Sequence, residues 1–264
     1  MINKLYVNGC SWTDGDTLVV NGLFDALKIN DNGKKYSYPK LLGDYYCFDV
    51  IDESRYGGSL NRIIRKTWRY IEKQVDLRET LFLIEVPNGI RDEIFCVDYG
   101  DYLNITPSDL DITDDIKKDN KYWNKYRKEI ISHYEKFWKE EEFKFKEWIN
   151  FISLIIYIKQ YTPHVYLINY YEFLNVAPFV RLKDGLITEK NLIKIIHPTT
   201  KKFYHYIENM CSEEKLSIGD ITGIIDTHPN LDGHKVLFEI IKTHLDQMEG
   251  VCDKKKINHE RNNI

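Results

Sequence analysis

The run Thr80-Leu81-Phe82-Leu83-Ile84-Glu85-Val86 constrains the fold more than any other stretch of the chain. A strand with one wet face alternates apolar and polar residues, whereas this run is apolar at nearly every position. Such a strand needs cover on both faces, which is the situation inside a parallel sheet flanked by helices. The neighbouring patterns agree. Lys4 to Val7 reads as a short buried strand ending at Asn8-Gly9, "CFDVID" as a second strand and "HVYLINYY" as a fourth. Between them, "SYPKLLGDYY" predicts a short helix starting near Pro39. In "SRYGGSLNRIIRKTWRYIEKQV" a Gly-Gly turn runs into a helix with Ile63, Ile64, Trp68 and Ile71 at helical spacing. Strands alternating with helices predict an α/β fold, a three-layer sandwich around a mostly parallel central sheet.

The middle of the chain departs from this alternation. Asp98 to Asp119 is acidic and contains proline, and reads as an irregular loop. From Lys121 to about Tyr161, Trp123, Tyr126, Ile130, Tyr134, Phe137, Trp148, Ile152 and Ile155 recur at three- and four-residue steps. Two helices breaking near Glu140 to Glu142 pack more easily than one continuous helix. The loop and helices form an insertion at about 98–161 in a single domain spanning 1–250. Its aromatic residues read as core, with a lid lining a sugar or acyl pocket as the alternative. Glu172 to Asp220 is mixed, with a helix over Lys201 to Met210; the last helix begins near Leu231 and runs to about Met248. The polar tail at 251–264 is expected to be disordered.

Composition narrows the function classes. The net charge of −4, with Lys and Arg scattered among slightly more numerous acids, gives no attraction to nucleic acid or anionic membrane. The five cysteines are odd in number, far apart and without a C-x-x-C pair, as expected of reduced thiols in a cytosol-like compartment. "MINKLYV" lacks the apolar region of a signal peptide, and "WINFISLIIYIKQY" is too short and interrupted to span a bilayer. A cytoplasmic protein is expected; a phage product in the host cytoplasm or virion is also compatible.

Chemistry-bearing residues gather at the ends of the predicted strands, where open α/β sheets bind their ligands. Ser11 follows the first strand in "NGCSWTDG", Gly57-Gly58 the second, and Asn88 the third in "VPNGIRDE". Near the other end, "DTHPNLDGH" holds Asp226 and His228 just before the last helix. A serine hydroxyl becomes a useful nucleophile when an imidazole takes its proton and an acid orients that imidazole. The developing oxyanion needs donors, and the backbone N–H groups of Ser11 and Gly58 and the Asn88 amide are suitable.

In the order of these four blocks the chain resembles the SGNH (GDSL-type) hydrolases, from about Leu5 to Leu245. The resemblance implies the flavodoxin-like SGNH fold and cleavage of a small acyl ester through an acyl-serine. O-acetyl groups on carbohydrate are the substrate it suggests, with no metal or organic cofactor. It implies Ser11 as nucleophile, His228 as general base, Asp226 as orienting acid, and Ser11, Gly58 and Asn88 as the oxyanion hole. Three departures stand out. Cys10 replaces the acid of the family's G-D-S block, Pro87-Asn88-Gly89 replaces G-x-N-D, and Ile225 occupies the usual position of the acid. Asp226 by another loop path, Asp220, or a Ser-His dyad are the alternatives.

Other readings compete. The same residues could serve acyl transfer to an alcohol, or a binding module without a competent triad. Asp226-Thr227-His228 also has the look of a metal D-x-H pair, without a recognisable further ligand set. Trp12 and Arg91 are candidate substrate contacts, Arg91 toward a carboxylate or phosphate, with surface pairing to Asp92 or Glu93 as its plainer role. Cys10, at a strand end, is expected to point into the core, and His234 is expected to be a packing or hydrogen-bonding residue of the last helix.

Overall fold

A computed structural model describes residues 2–14, 33–55, 58–87, 91–98, 100–105, 121–169, 194–196 and 231–247. Its centre is a five-stranded sheet in the order β2-β1-β3-β6-β7, parallel throughout. The strands are β1 (Lys4–Asn8), β2 (Asp49–Asp52), β3 (Thr80–Val86), β6 (Val165–Asn169) and β7 (Lys194–Ile196). As its near-continuous apolar run requires, β3 is buried at every position, lying between β1 and β6.

Successive side chains point to opposite faces of a strand, and the two cores follow that rule. On one face Tyr6 of β1, Phe82, Ile84 and Val86 of β3, and Val165 and Leu167 of β6 meet helices α3 (Leu60–Glu72) and α5 (Glu140–Lys159). There Ile63, Ile64 and Ile71 pack with Trp148, Phe151 and Ile155. On the other face Leu5, Val7, Leu81, Leu83, Tyr166 and Ile168 are covered by α2 (Tyr38–Tyr46) and α6 (Leu231–Asp246), through Tyr38, Leu42, Leu237 and Ile241. The result is the expected three-layer α/β sandwich.

Local signals account for the helix boundaries. Pro39 sits in the first turn of α2, where its missing N–H costs nothing. Ser59 caps α3, its side chain accepting from the Arg62 N–H at 3.0 Å. In the middle of the chain, α4 (Lys121–Phe137) stops just before α5, close to the expected break; three glutamates in the first turn of α5 complement the helix dipole.

One expectation is corrected. The stretch after Asp98 is not irregular throughout: β4 (Asp92–Cys96) and β5 (Asp101–Ile105) form an antiparallel hairpin separate from the main sheet. Its apolar alternation, Ile94 and Cys96 against Leu103 and Ile105, is short and broken by aspartates, so the pattern reads as loop. The apolar side packs on Ile130 and Tyr134 of α4 in a small third core. Gly100 supplies the positive φ of the turn (69°), a conformation costly for a residue with Cβ. Arg65 of α3 fastens the hairpin, pairing with Glu93 at 3.0 Å and stacking its guanidinium over Tyr102. The short strand β7 is a further element not anticipated in the Glu172–Asp220 stretch. The helix expected over Lys201 to Met210 and the tail at 251–264 lie outside the described residues. Among the described residues no helix is long and apolar enough to cross a membrane.

Candidate active site

Because the sheet is parallel, the segments following β1, β2 and β3 all leave its carboxyl edge. Beyond β1 the chain turns at Gly9 and Cys10 into the single-turn helix α1 (Ser11–Asp14), which Ser11 opens. The Cys10 carbonyl accepts from the N–H groups of Thr13 and Asp14, both at 3.1 Å, and closes that turn. The segment after β2 runs beside it: the Glu53 N–H donates to the Val7 carbonyl at 2.9 Å and the Arg55 N–H to that of Gly9 at 3.2 Å. Gly58 packs against the same turn. A Cβ there would lie 3.1 Å from the carbonyl oxygens of Gly9 and Arg55 and 3.7 Å from the Cys10 Cα. The first two sequence blocks are therefore in contact. The Gly58 N–H, expected among the oxyanion donors, donates to the Arg55 carbonyl at 2.9 Å.

The residue that organises this corner was not singled out from the sequence. Glu85, one residue before the end of β3, points to the α2/α6 face and is 1 % exposed. Its Oε2 accepts from the Cys10 N–H at 2.8 Å and from the Thr13 hydroxyl at 2.5 Å, and its Oε1 meets the Cys10 Sγ at 2.8 Å. Burial pushes the Glu85 carboxyl above the usual carboxylate range; the hydrogen bonds of Cys10 and Thr13 and the Arg91 charge act the other way. A lone acid in an otherwise apolar strand was the available signal. Cys10 is buried, as expected of a strand-end residue.

The network continues toward the last helix. Thr13 Oγ1 and the Tyr38 hydroxyl are 2.9 Å apart, and the Tyr38 backbone N–H donates to His234 Nδ1 at 3.3 Å. His234 is fully buried, stacks on Tyr38, and is held neutral by burial, its pKa lowered to about 3. It is a packing and hydrogen-bonding residue, as its place in the helix suggests. Arg91 does not pair with its acidic neighbours: Glu93 is taken by Arg65, and Asp92 accepts from Asn61 and Tyr134. Its Nη1 is buried without a hydrogen-bond partner, while its charge acts on Glu85.

Asn88, Asp226 and His228 lie outside the described residues, and of Ser11 and Trp12 only the backbone is described. Among the described residues, no three His, Cys, Asp or Glu side chains cluster to hold a metal ion. A 560 Å³ groove lined by Ile71, Gln74, Arg78 and Tyr157 sits where α3 ends and the chain enters β3, at the opposite edge of the sheet from Ser11.

No family model and no curated protein sequence matches the chain. Solved structures do. A member of the lipolytic protein G-D-S-L family from Veillonella parvula is 10 % identical with a TM-score of 0.44, over 93 % of this chain and 99 % of its own. The psychrotrophic esterase EstA from a Pseudoalteromonas species is 11 % identical with a TM-score of 0.44, over 93 % of this chain and all (100 %) of its own. A carbohydrate esterase whose active site displays divergent catalytic and non-catalytic binding functions is 11 % identical with a TM-score of 0.45, over 94 % of this chain and 70 % of its own. These neighbours are lipolytic proteins and esterases.

Proposed function

We propose that the chain is a serine esterase of the SGNH type, with Ser11 as nucleophile, His228 as general base and Asp226 as the acid that orients the imidazole. The observation that carries this reading is the hydrogen-bonded path from the Ser11 turn to α6 through Thr13, Tyr38 and His234. Only Pro229 and Asn230 separate His228 from Leu231, the first residue of α6. So short a link spans at most about 10 Å when extended. The path thus supports an imidazole near the serine turn, although the two residues lie at opposite ends of the sequence.

In this mechanism His228 takes the hydroxyl proton as Ser11 attacks the ester carbonyl. It returns that proton to the leaving alcohol, and a water repeats the cycle on the acyl-serine. The Ser11 N–H and the Asn88 amide are the first oxyanion donors; Gly58 joins them only if its N–H exchanges the Arg55 carbonyl for the substrate oxygen. The substrate is a small acyl ester, with O-acetyl groups on carbohydrate the first to test. Trp12 and Arg91 are the candidate substrate contacts.

A fluorophosphonate probe and turnover of p-nitrophenyl acetate test the assignment. Wild type should be labelled and Ser11→Ala should not, with turnover of Ser11→Ala and His228→Ala reduced by about 10⁴-fold or more. Asn88→Ala should lose about 10²–10³-fold, the usual cost of one oxyanion donor. An unlabelled wild type, or a Ser11→Ala variant with undiminished turnover, would end the proposal. Asp226→Asn and Asp220→Asn, assayed together, identify the acid. Products formed with a sugar acceptor present separate hydrolysis from acyl transfer.

A further inference from the structure

We propose that Glu85 is the positioning residue of the Ser11 turn, its carboxyl reaching from β3 to hold Cys10 and Thr13 on either side of the serine. The inference rests on the esterase reading and extends it to a residue outside the four blocks.

A buried carboxyl is costly unless hydrogen bonds replace its water. Here both oxygens are engaged, and their hydrogen-bond partners belong to one short segment: the Cys10 N–H, the Cys10 thiol and the Thr13 hydroxyl. That segment is shaped to receive the carboxyl. A Cβ on Gly9 would overlap Glu85 Oε2, and would lie 2.7 Å from the Glu85 Cβ and 2.6 Å from Thr13 Oγ1. Gly9, Cys10 and Thr13 thus form a socket with an open side, a thiol and a hydroxyl. Ser11 is carried between the points of attachment.

The rest of the network braces the socket. Thr13 touches the Tyr38 hydroxyl of α2, and Arg91 supplies a positive charge from beyond the end of β3. Near-attack geometry tolerates little error, and a displacement of about 1 Å at the nucleophile can cost about 10²-fold in rate. Substrate contacts made away from the turn do not depend on that displacement. Loss of Glu85 should therefore lower kcat and leave KM nearly unchanged.

The variants Glu85→Ala, Glu85→Gln and Thr13→Val, compared in the full chain by p-nitrophenyl acetate kinetics and by the rate of fluorophosphonate labelling, test this. Glu85→Ala should lose about 10²-fold in kcat and labelling rate with KM within about threefold of wild type. Glu85→Gln should recover to within about tenfold of wild type, because its amide oxygen still accepts from the Cys10 N–H and the Thr13 hydroxyl. Thr13→Val, nearly isosteric, should lose about tenfold and decides the matter should Glu85→Ala fail to fold. A folded Glu85→Ala or a Thr13→Val with wild-type kcat overturns the proposal, as does a Glu85→Gln no better than Glu85→Ala. Failure of the esterase reading is distinct: wild type itself then stays unlabelled, and positioning of a nucleophile falls with it.

Discussion

Gly9→Ala should unseat the Ser11 turn and cost both activity and stability. The added methyl has nowhere to go, since atoms of Glu85 and Thr13 occupy its place at distances real Cβ contacts do not reach. Neither neighbour can simply swing away. Glu85 is packed into the sheet and tied to Cys10, and Thr13 is held by Glu85 and Tyr38. Overpacking of this kind costs about 1–3 kcal/mol, and displacement of the nucleophile about 10²-fold in turnover. Urea unfolding and p-nitrophenyl acetate kinetics on the same preparations read both effects. Gly58→Ala, whose Cβ would sit 3.1 Å from two carbonyl oxygens, should be the milder variant. A Gly9→Ala protein with wild-type kinetics would show that the turn does not need Glu85 at its present distance.

The second large effect concerns pH and the packing of α5 beside the β4–β5 hairpin. Glu147 of α5 is buried, and burial followed by the Asp92 charge raises its pKa to about 8, opposed by a hydrogen bond from the Asn61 backbone N–H. Asp92 of β4 and Tyr134 of α4 face it, and the Tyr134 hydroxyl donates to Asp92 at 2.7 Å. Unfolded, Glu147 ionises near its ordinary value of 4.5. Between these two values the folded protein holds a proton that the unfolded chain has released. The stabilisation is complete below the lower value and is lost as pH rises toward the upper one.

His234 acts in the opposite sense. Its folded value of about 3 lies below its ordinary 6.5, so stability falls as pH drops through that interval. The two slopes oppose each other where the intervals overlap, and above pH 6.5 the Glu147 slope is left, approaching about 1.4 kcal/mol per pH unit. Glu147→Gln should therefore gain on wild type as pH rises from 6.5 to 8 in urea unfolding. Parallel curves for the two proteins would exclude a buried protonated Glu147.

The layered architecture was readable because it rests on local patterns. The apolar run of β3 demanded cover on both faces, the spacing of Ile63, Ile64 and Ile71 gave α3 its buried side, and the glutamates near 140 marked a helix start. The hairpin of β4 and β5 was hidden because its apolar side has few positions among many acids, and its stability comes from α4 and Arg65. The corner around Ser11 was half readable. Ser11 and Gly58 stood out as strand-end residues, and they do belong to adjoining segments. Glu85, 75 residues from Cys10, has no local signature linking it to that turn. Cys10 departs from the acid that the family resemblance leads one to expect; in the folded chain a carboxyl reaches Cys10 from β3 instead.

The strand order has a consequence for biosynthesis. β1 is made first yet ends up between β2 and β3, and the face bearing Leu5, Val7, Leu81 and Leu83 is finished by Leu237 and Ile241, near the opposite terminus. A nascent polypeptide on the ribosome therefore leaves the part of this face that α2 does not cover without its α6 residues until that helix emerges. Pairings so distant along the chain form slowly, which makes this interval the one in which chaperones have most to shield.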